Sequence, residues 1–298
     1  MFNFFANIFG YLLEFLYNLV NNYGVAIILF TVIIKLLLLP LSIKQQRTTQ
    51  KSAKLQEKLK VIQFKYKNDP EKMNQEMMQL YKSENMSPFS GCLTAIVQLI
   101  LLLSIFYLVK SPLTYMEKLS KDDINKYVTQ LQEEGKISSS VYPEIDIIRE
   151  YNWLKEKNPE DNNLDKVNLQ MNFLGLDLSK VPQQNMADYT VYIIPVLYIL
   201  SSFISIRMTT KMQEEMQKKK EEKVIDGETG TDLVPEENPN EMDAVMQTNK
   251  MMSWMMPIMS ISIAFVAPLG LALYWLISNI LMILERLVLN KAIKLEEE

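Results

Sequence analysis

The chain has 298 residues, of which 48% are hydrophobic and 22% charged, and its formal net charge is −4 at pH 7. It contains no histidine and one cysteine, which excludes an internal disulfide, a Cys/His zinc site, a His-based catalytic triad and a His-ligated haem. Its eight glycines form no phosphate-binding loop. These absences disfavour most classes of enzyme, and we expect neither an enzymatic activity nor a metal or cofactor.

The first 22 residues predict an amphipathic helix. Phenylalanine and leucine fill one face, and polar or small residues recur every three or four positions on the other. The latter are Asn3, Asn7, Gly10, Glu14, Asn18 and Asn21. The segment lacks the basic start and the cleavage site of a signal peptide, and it has no cations for binding anionic lipid. We therefore expect residues 1–22 to lie in the membrane interface, with an uncleaved signal segment as the alternative.

Five apolar blocks follow, and nearly all the charge lies between them. A stretch of about 18 or more apolar residues can cross a hydrocarbon core of about 30 Å. The predicted fold class is an all-α polytopic membrane protein with five transmembrane helices. In chain order the predicted spans are 24–43, 90–109, 189–208, 251–266 and 268–289, which are separated by 44–88, 110–188 and 209–250 and followed by a tail at 290–298.

The placement of lysine and arginine predicts the orientation, because basic loops remain in the cytoplasm. Residues 44–88 carry ten basic and five acidic residues, whereas residues 111–188 carry nine basic and fourteen acidic ones. Lysines also cluster near the start of 209–250. The first and third of these segments are therefore predicted to be cytoplasmic and the second external, with the N-terminus outside and the C-terminus inside.

Two of the intervening segments carry further signals. Residues 44–88 predict a basic helical hairpin that breaks at Asn68-Asp69-Pro70, where Asp69 can cap the second helix and Pro70 can occupy its first position. A solvated loop that only sets the orientation is the alternative. Residues 221–247 combine many acids with glycine and proline, a composition typical of disorder.

Lys35 lies about ten residues inside the first predicted span, roughly 15 Å from its start. A lysine at this depth costs about 2.5–3.5 kcal/mol on insertion scales, which apolar neighbours at about −0.3 to −0.6 kcal/mol each outweigh. The helix can therefore insert, but the charge needs a polar environment. An ionisable residue at such a position indicates a functional site by default.

Polar residues on several spans recur at helical spacing. The candidate site residues besides Lys35 are Thr31, Gln98, Ser202, Ser205, Tyr274, Trp275 and Ser278. Polar stripes on several helices converge most simply around a shared wet cavity. Ordinary hydrogen bonding between helices is the alternative for the serines and threonines, but it does not account for Lys35.

Three stretches resemble the bacterial five-span type of the YidC membrane-protein insertase family. They are the first span with its cation followed by LLLLPLSIKQQ, the segment KYKNDPEKMNQEMMQLYKSENMSPFSGCL, and the last span PLGLALYWLISN. The resemblance covers about residues 1–290. The family's central cation is usually arginine, and Lys35 keeps the charge without the planar fork of a guanidinium.

The resemblance implies a hydrophilic groove that holds Lys35 and the polar residues, opens to the cytoplasm and lipid, and is closed towards the outside. It implies an insertase and chaperone of the bacterial plasma membrane, which moves short polar segments of new membrane proteins across the bilayer. The implied partners are nascent membrane proteins and membrane lipid, with the Sec translocon, the ribosome and the signal-recognition machinery as further candidates and no nucleic-acid substrate.

Two other functions could also centre on an intramembrane lysine. A small-solute transporter or channel is one alternative, although no inverted repeat or acidic partner is visible in the sequence. A protease with a Ser and Lys dyad is another, with Lys35 as the base.

Overall fold

The computed structural model describes residues 2–84, 90–138, 141–225 and 262–297. The described chain is mostly helical, and three stretches are long and apolar enough to cross a membrane: Tyr23–Thr48, Tyr189–Lys211 and Leu269–Leu289. The second predicted span lies on a helix whose described apolar part, Leu99–Lys110, is shorter. Most of the fourth predicted span and the predicted disordered segment lie outside the described residues. The protein is thus an all-α membrane protein, while the number of five spans stays a prediction.

The helices are α1 (Phe2–Val20), α2 (Tyr23–Lys65), α3 (Pro70–Ser83), α4 (Ser90–Lys110), α5 (Pro112–Tyr115), α6 (Lys121–Glu133), α7 (Pro143–Arg149), α8 (Tyr151–Lys157), α9 (Ile193–Ile225), α10 (262–266) and α11 (Leu269–Glu297). Short 3-10 turns occupy Asn162–Val167, Pro182–Gln184 and Tyr189–Tyr192. Two strands, β1 (Asn172–Phe173) and β2 (Leu176–Asp177), pair antiparallel.

The helix that contains Lys35 does not end where the first predicted span ends. Helix α2 has 43 residues, so it is about 64 Å long and exceeds a hydrocarbon core of about 30 Å twofold. It ends shortly before Asp69, whose side chain caps α3 by accepting a hydrogen bond from the backbone N–H of Lys72 at 3.1 Å. Helix α3 then packs back on α2, and Lys58 pairs with Glu84 at 2.5 Å. The turn at residues 68–70 is as the sequence predicted.

Helix α1 packs against α2, α4 and α5. Its small residue Gly10 allows close approach, because a Cβ there would lie 1.8 Å from the backbone oxygen of Tyr115. The predicted polar stripe is used in this contact: Tyr115 donates to Asn3 at 3.1 Å, and Lys118 donates to Asn7 Oδ1 at 3.3 Å. Large apolar side chains face outwards at Phe4, Ile8, Tyr11, Phe15 and Leu19. The predicted leucine-rich face is instead buried, as at Leu13 and Leu16. Helix α1 therefore carries apolar side chains on two sides: one side packs in the core, and the outward side is free to meet lipid.

Residues 111–188, which we call the loop domain, form a folded unit whose buried side chains join the hydrophobic core of the long helices. Fully buried side chains come from its helices and its 3-10 turn, as at Tyr127, Leu154 and Leu164. The buried Glu144 carboxylate accepts hydrogen bonds from the backbone and the hydroxyl of Thr114, at 2.9 and 2.7 Å. Burial raises the pKa of Glu144, and these hydrogen bonds oppose the shift.

One segment of the loop domain joins two of the candidate spans. Residues 170–180, which we call the clip, contain β1, β2 and the turn between them, where Leu174 and Gly175 have φ values of 52° and 82°. Backbone carbonyl oxygens of the clip accept hydrogen bonds from the first N–H groups of α2 and α11. The Gln170 oxygen accepts from Tyr23 of α2 at 3.0 Å, and the oxygens of Leu178 and Lys180 accept from Gly270 and Leu269 of α11 at 3.0 and 2.9 Å. These donors have no partner inside their own helices, so the clip satisfies them and holds the starts of α2 and α11 side by side.

The contact between α1 and the loop domain should be sensitive to pH. Burial, together with repulsion from Glu14, raises the pKa of Glu117 to about 7, and Lys166 opposes this shift. The ordinary pKa of a glutamate, 4.5, applies to the unfolded chain, so the folded protein binds this proton more tightly than the unfolded chain does. The free energy of unfolding therefore falls as the pH rises from about 4.5 to 7. The change should be on the order of 1–3 kcal/mol.

We expect Glu117→Gln to flatten this part of the profile when thermal unfolding of the purified protein is followed between pH 5 and pH 8. The exposed Glu133→Gln is the matched control and should keep the wild-type slope. Parallel profiles for all three proteins would contradict the assignment.

Candidate functional site

Lys35 lies on α2, twelve residues after Tyr23, which corresponds to a depth of about 18 Å along the helix. Its side chain is half-buried. One turn earlier, the Thr31 hydroxyl is buried and donates to the Ile27 carbonyl of its own helix at 2.6 Å. Thr31 therefore shares the helical face of Lys35, but its donor is already used.

The charged neighbours of Lys35 are Glu285 and Arg286, both on α11. Their electrostatic interaction with Lys35 is attractive for Glu285 and repulsive for Arg286. Arg286 and Glu285 also attract each other. We call these three residues the charge cluster. It carries two positive charges and one negative charge, so it keeps a net charge of about +1 in a partly buried place.

Helices α9 and α11 run parallel and share a line of polar contacts, which we call the polar seam. Near its first end the rings of Tyr198 and Trp275 are 5.9 Å apart. One turn further, Asn279 Nδ2 donates to the hydroxyls of Ser201 and Ser202 at 3.0 and 3.1 Å. The seam thus begins with a contact between aromatic rings, followed by a buried layer in which Asn279 of α11 donates to hydroxyls of α9.

Arg286 forms the last layer of the polar seam. Its Nη1 atom donates to the backbone oxygen and the hydroxyl of Ser205, at 3.4 and 3.3 Å, and to the hydroxyl of Thr209. The guanidinium is therefore fixed to α9 on one side while it takes part in the charge cluster on the other.

The structure places the candidate residues in different settings. Ser202, Ser205 and Trp275 lie in the polar seam. For the two serines this is ordinary hydrogen bonding between helices, the alternative to a wet cavity in the sequence analysis. Tyr274 is buried, and the Ser278 hydroxyl interacts with it. The side chain of Gln98 lies outside the described residues. A shared cavity lined by all these residues stays a prediction.

Sequence reasoning missed Arg286, although a signal was present. Trp275, Asn279 and Arg286 follow one another at helical spacing, and so do Tyr198, Ser202, Ser205 and Thr209. Extending the α9 stripe by one turn and the α11 stripe by two turns would have added Thr209 and Arg286 to the candidates, although not their pairing. The sequence shows no acidic partner for Lys35, but the structure brings Glu285, near the end of the last predicted span, within electrostatic range of it.

Comparison with known proteins agrees with this architecture. The family model of the 60Kd inner membrane protein matches residues 15–297. A protein of Treponema denticola named membrane protein insertase YidC is 26% identical over 284 residues, which are 95% of this chain and 37% of that protein. Proteins of the same name from Caldanaerobacter subterraneus and Clostridium tetani are 43% and 44% identical over 102 and 104 residues, about a third of this chain.

The chain spans between a third and a half of the length of these relatives in the matched regions. The family match, by contrast, extends over nearly the whole chain, through α2, the loop domain and the polar seam. The chain therefore belongs to the family of the 60Kd inner membrane protein, the YidC membrane proteins of the bacterial inner membrane.

Proposed function

We propose that this protein is a membrane-protein insertase, in which a cationic groove draws short polar segments of new membrane proteins into the bilayer. The observation that carries the proposal is the charge cluster. It combines a half-buried lysine in the middle of a candidate span with a second cation and a single carboxylate. A net positive charge held at such a depth attracts acidic residues more strongly than it would in water.

The clip supports a groove that is closed at one end. It joins the starts of α2 and α11 through backbone hydrogen bonds, and Phe173 packs on Gly24 so closely that a Cβ there would lie 2.5 Å from the ring. Tyr23, Ile27 and Phe30 are buried on the same part of α2. With the orientation predicted from the lysines and arginines, this closed end faces the outside of the cell and Lys35 is reached from the cytoplasm.

The outer faces of α4 and α9 support a path for the apolar part of a client. Large side chains there are exposed, among them Leu99, Leu197 and Phe203. A new transmembrane segment could slide along such surfaces while its polar flank remains in the groove. Hydration of the groove lowers the desolvation cost of the polar flank, and burial of the apolar segment at about 25 cal/mol per Å² drives the final step.

Replacing Lys35 tests the electrostatic part of this mechanism. Lys35→Arg should keep insertion, whereas Lys35→Ala and Lys35→Glu should reduce it severalfold for clients with acidic translocated segments. Insertion of a short single-span client by the protein reconstituted in liposomes is the measurement. The deficit should shrink when the acids of the client are neutralised. Equal insertion by all four forms for every client would contradict the mechanism.

Single-cysteine labelling tests the groove itself, in a chain that carries Cys92→Ser. Ser278→Cys and Met282→Cys lie on the face of α11 that leads to Glu285, and both should react with a water-soluble thiol reagent added from the cytoplasmic side. Ser202→Cys, in the polar seam, and Leu37→Cys, 70% exposed on α2 and expected to face lipid, should stay unreactive. Equal labelling from both sides would indicate a channel and favour the transporter alternative.

Deleting the hairpin tests its role in recruitment. We expect removal of residues 44–88 with a short linker to reduce client insertion while α9 and α11 keep their contacts, because the polar seam does not involve the hairpin. The same assay with residues 226–247 shuffled serves as the comparison and should show a smaller loss. The opposite ranking would assign recruitment to the other segment.

A further inference from the structure

Arg286 and Lys35 lie at different distances from the clip along their helices. The two distances can be compared because α2 and α11 both begin at the clip. The clip binds the first N–H groups of α2 and α11, at Tyr23 and at Leu269 and Gly270. Lys35 follows twelve residues after Tyr23, and Arg286 seventeen residues after Leu269. At 1.5 Å per residue, the two cations lie about 18 Å and about 26 Å from the clip, which is a stagger of about 8 Å along the helices.

The guanidinium of Arg286 is fixed by hydrogen bonds from one of its nitrogen atoms, and donors on its other nitrogens remain available. A guanidinium has five N–H donors, and the hydrogen bonds to Ser205 and Thr209 all come from Nη1. The donors on Nε and Nη2 make no hydrogen bond to the residues that the structure describes. A planar fork held at one nitrogen presents the others in a fixed geometry, which suits a carboxylate.

Glu285 does not neutralise both cations. It attracts Lys35 and Arg286 alike, so the charge cluster keeps an excess of one positive charge with two separate positive centres. A client with one acidic residue can pair with either centre. A client with two acidic residues can pair with both, provided that their spacing matches the distance between the centres.

We infer that Arg286 is a second anion-binding residue of the proposed groove, and that it makes the protein favour clients with two closely spaced acidic residues in the translocated segment. This inference rests on the proposed function. The axial stagger of about 8 Å and a separation between helix axes of up to about 10 Å place the centres roughly 8–13 Å apart. An extended segment rises about 3.3 Å per residue, so the matching spacing is two to four residues. Arg286 lies nearer the cytoplasm and meets the incoming segment first.

The test uses the full-length protein in liposomes and one single-span client in four forms. Its translocated segment carries no aspartate, one aspartate, two aspartates three residues apart, or two aspartates twelve residues apart. Arg286→Gln should reduce insertion of the closely spaced form about fivefold or more, that of the one-aspartate and widely spaced forms less than twofold, and that of the uncharged form not at all. Arg286→Lys keeps the charge without the planar fork, so its loss for the closely spaced form should be smaller than that of Arg286→Gln.

Two further variants separate charge from packing. Arg207→Gln removes an exposed cation from the same stretch of α9 and should leave the ranking of the four clients unchanged. Glu285→Gln raises the net charge of the cluster and should raise insertion of the closely spaced form above the wild-type level.

The outcomes are distinct. An equal loss for all four clients in Arg286→Gln would show that Arg286 only holds α9 and α11 together and would overturn the inference, as would no loss for any client. If the wild-type protein inserts none of the four forms, the proposed function fails instead.

Discussion

The backbone hydrogen bonds between the clip and the first turns of α2 and α11 set the frame on which the candidate site depends. An N–H group at a helix start has no partner within its helix, and leaving it unpaired away from water is costly. The carbonyls of Gln170, Leu178 and Lys180 meet this need for two helices that are far apart in sequence. Because the two helices start together, the residues farther along them come into a fixed register, and Glu285 and Arg286 of α11 lie within electrostatic range of Lys35.

The polar seam completes that frame at greater depth. Hydrogen bonds between helices replace those that water would provide, and the layers of Asn279 and Arg286 each pair a long polar side chain of α11 with hydroxyl groups of α9. The polar residues of the seam bind one another, so these side chains are not available to line a groove. The charge cluster therefore stands out from the other polar residues, since its excess positive charge has no compensating carboxylate among the described residues.

The contact between α1 and the loop domain shows how an amphipathic helix can serve two purposes. Its Leu13 and Leu16 side chains pack in the core, a second row of apolar side chains faces outwards as for a helix at a membrane surface, and Asn3, Asn7 and Gly10 bind or approach the loop domain. This arrangement places Glu117 close to Glu14 and away from water. A segment that looks like a simple anchor in sequence is thus part of the packing that holds the loop domain against the ends of the spans.

The sequence was sufficient to predict the membrane class, the apolar stretches on α2, α9 and α11, the turn at residues 68–70 and the family, because hydropathy, helix capping and motif order are local properties. It was also sufficient to identify Lys35, since a charge within an apolar run is visible without a fold. The remaining features could be found only in the folded structure. The fold of the loop domain, the clip, the pairing of Asn279 with Ser201 and Ser202, and the place of Arg286 beside Lys35 all depend on which helices are neighbours and in what register. The contacts of the clip, of Asn279 and of Arg286 join residues 70 or more positions apart. Local periodicity specifies which face a residue occupies but not which helix lies opposite.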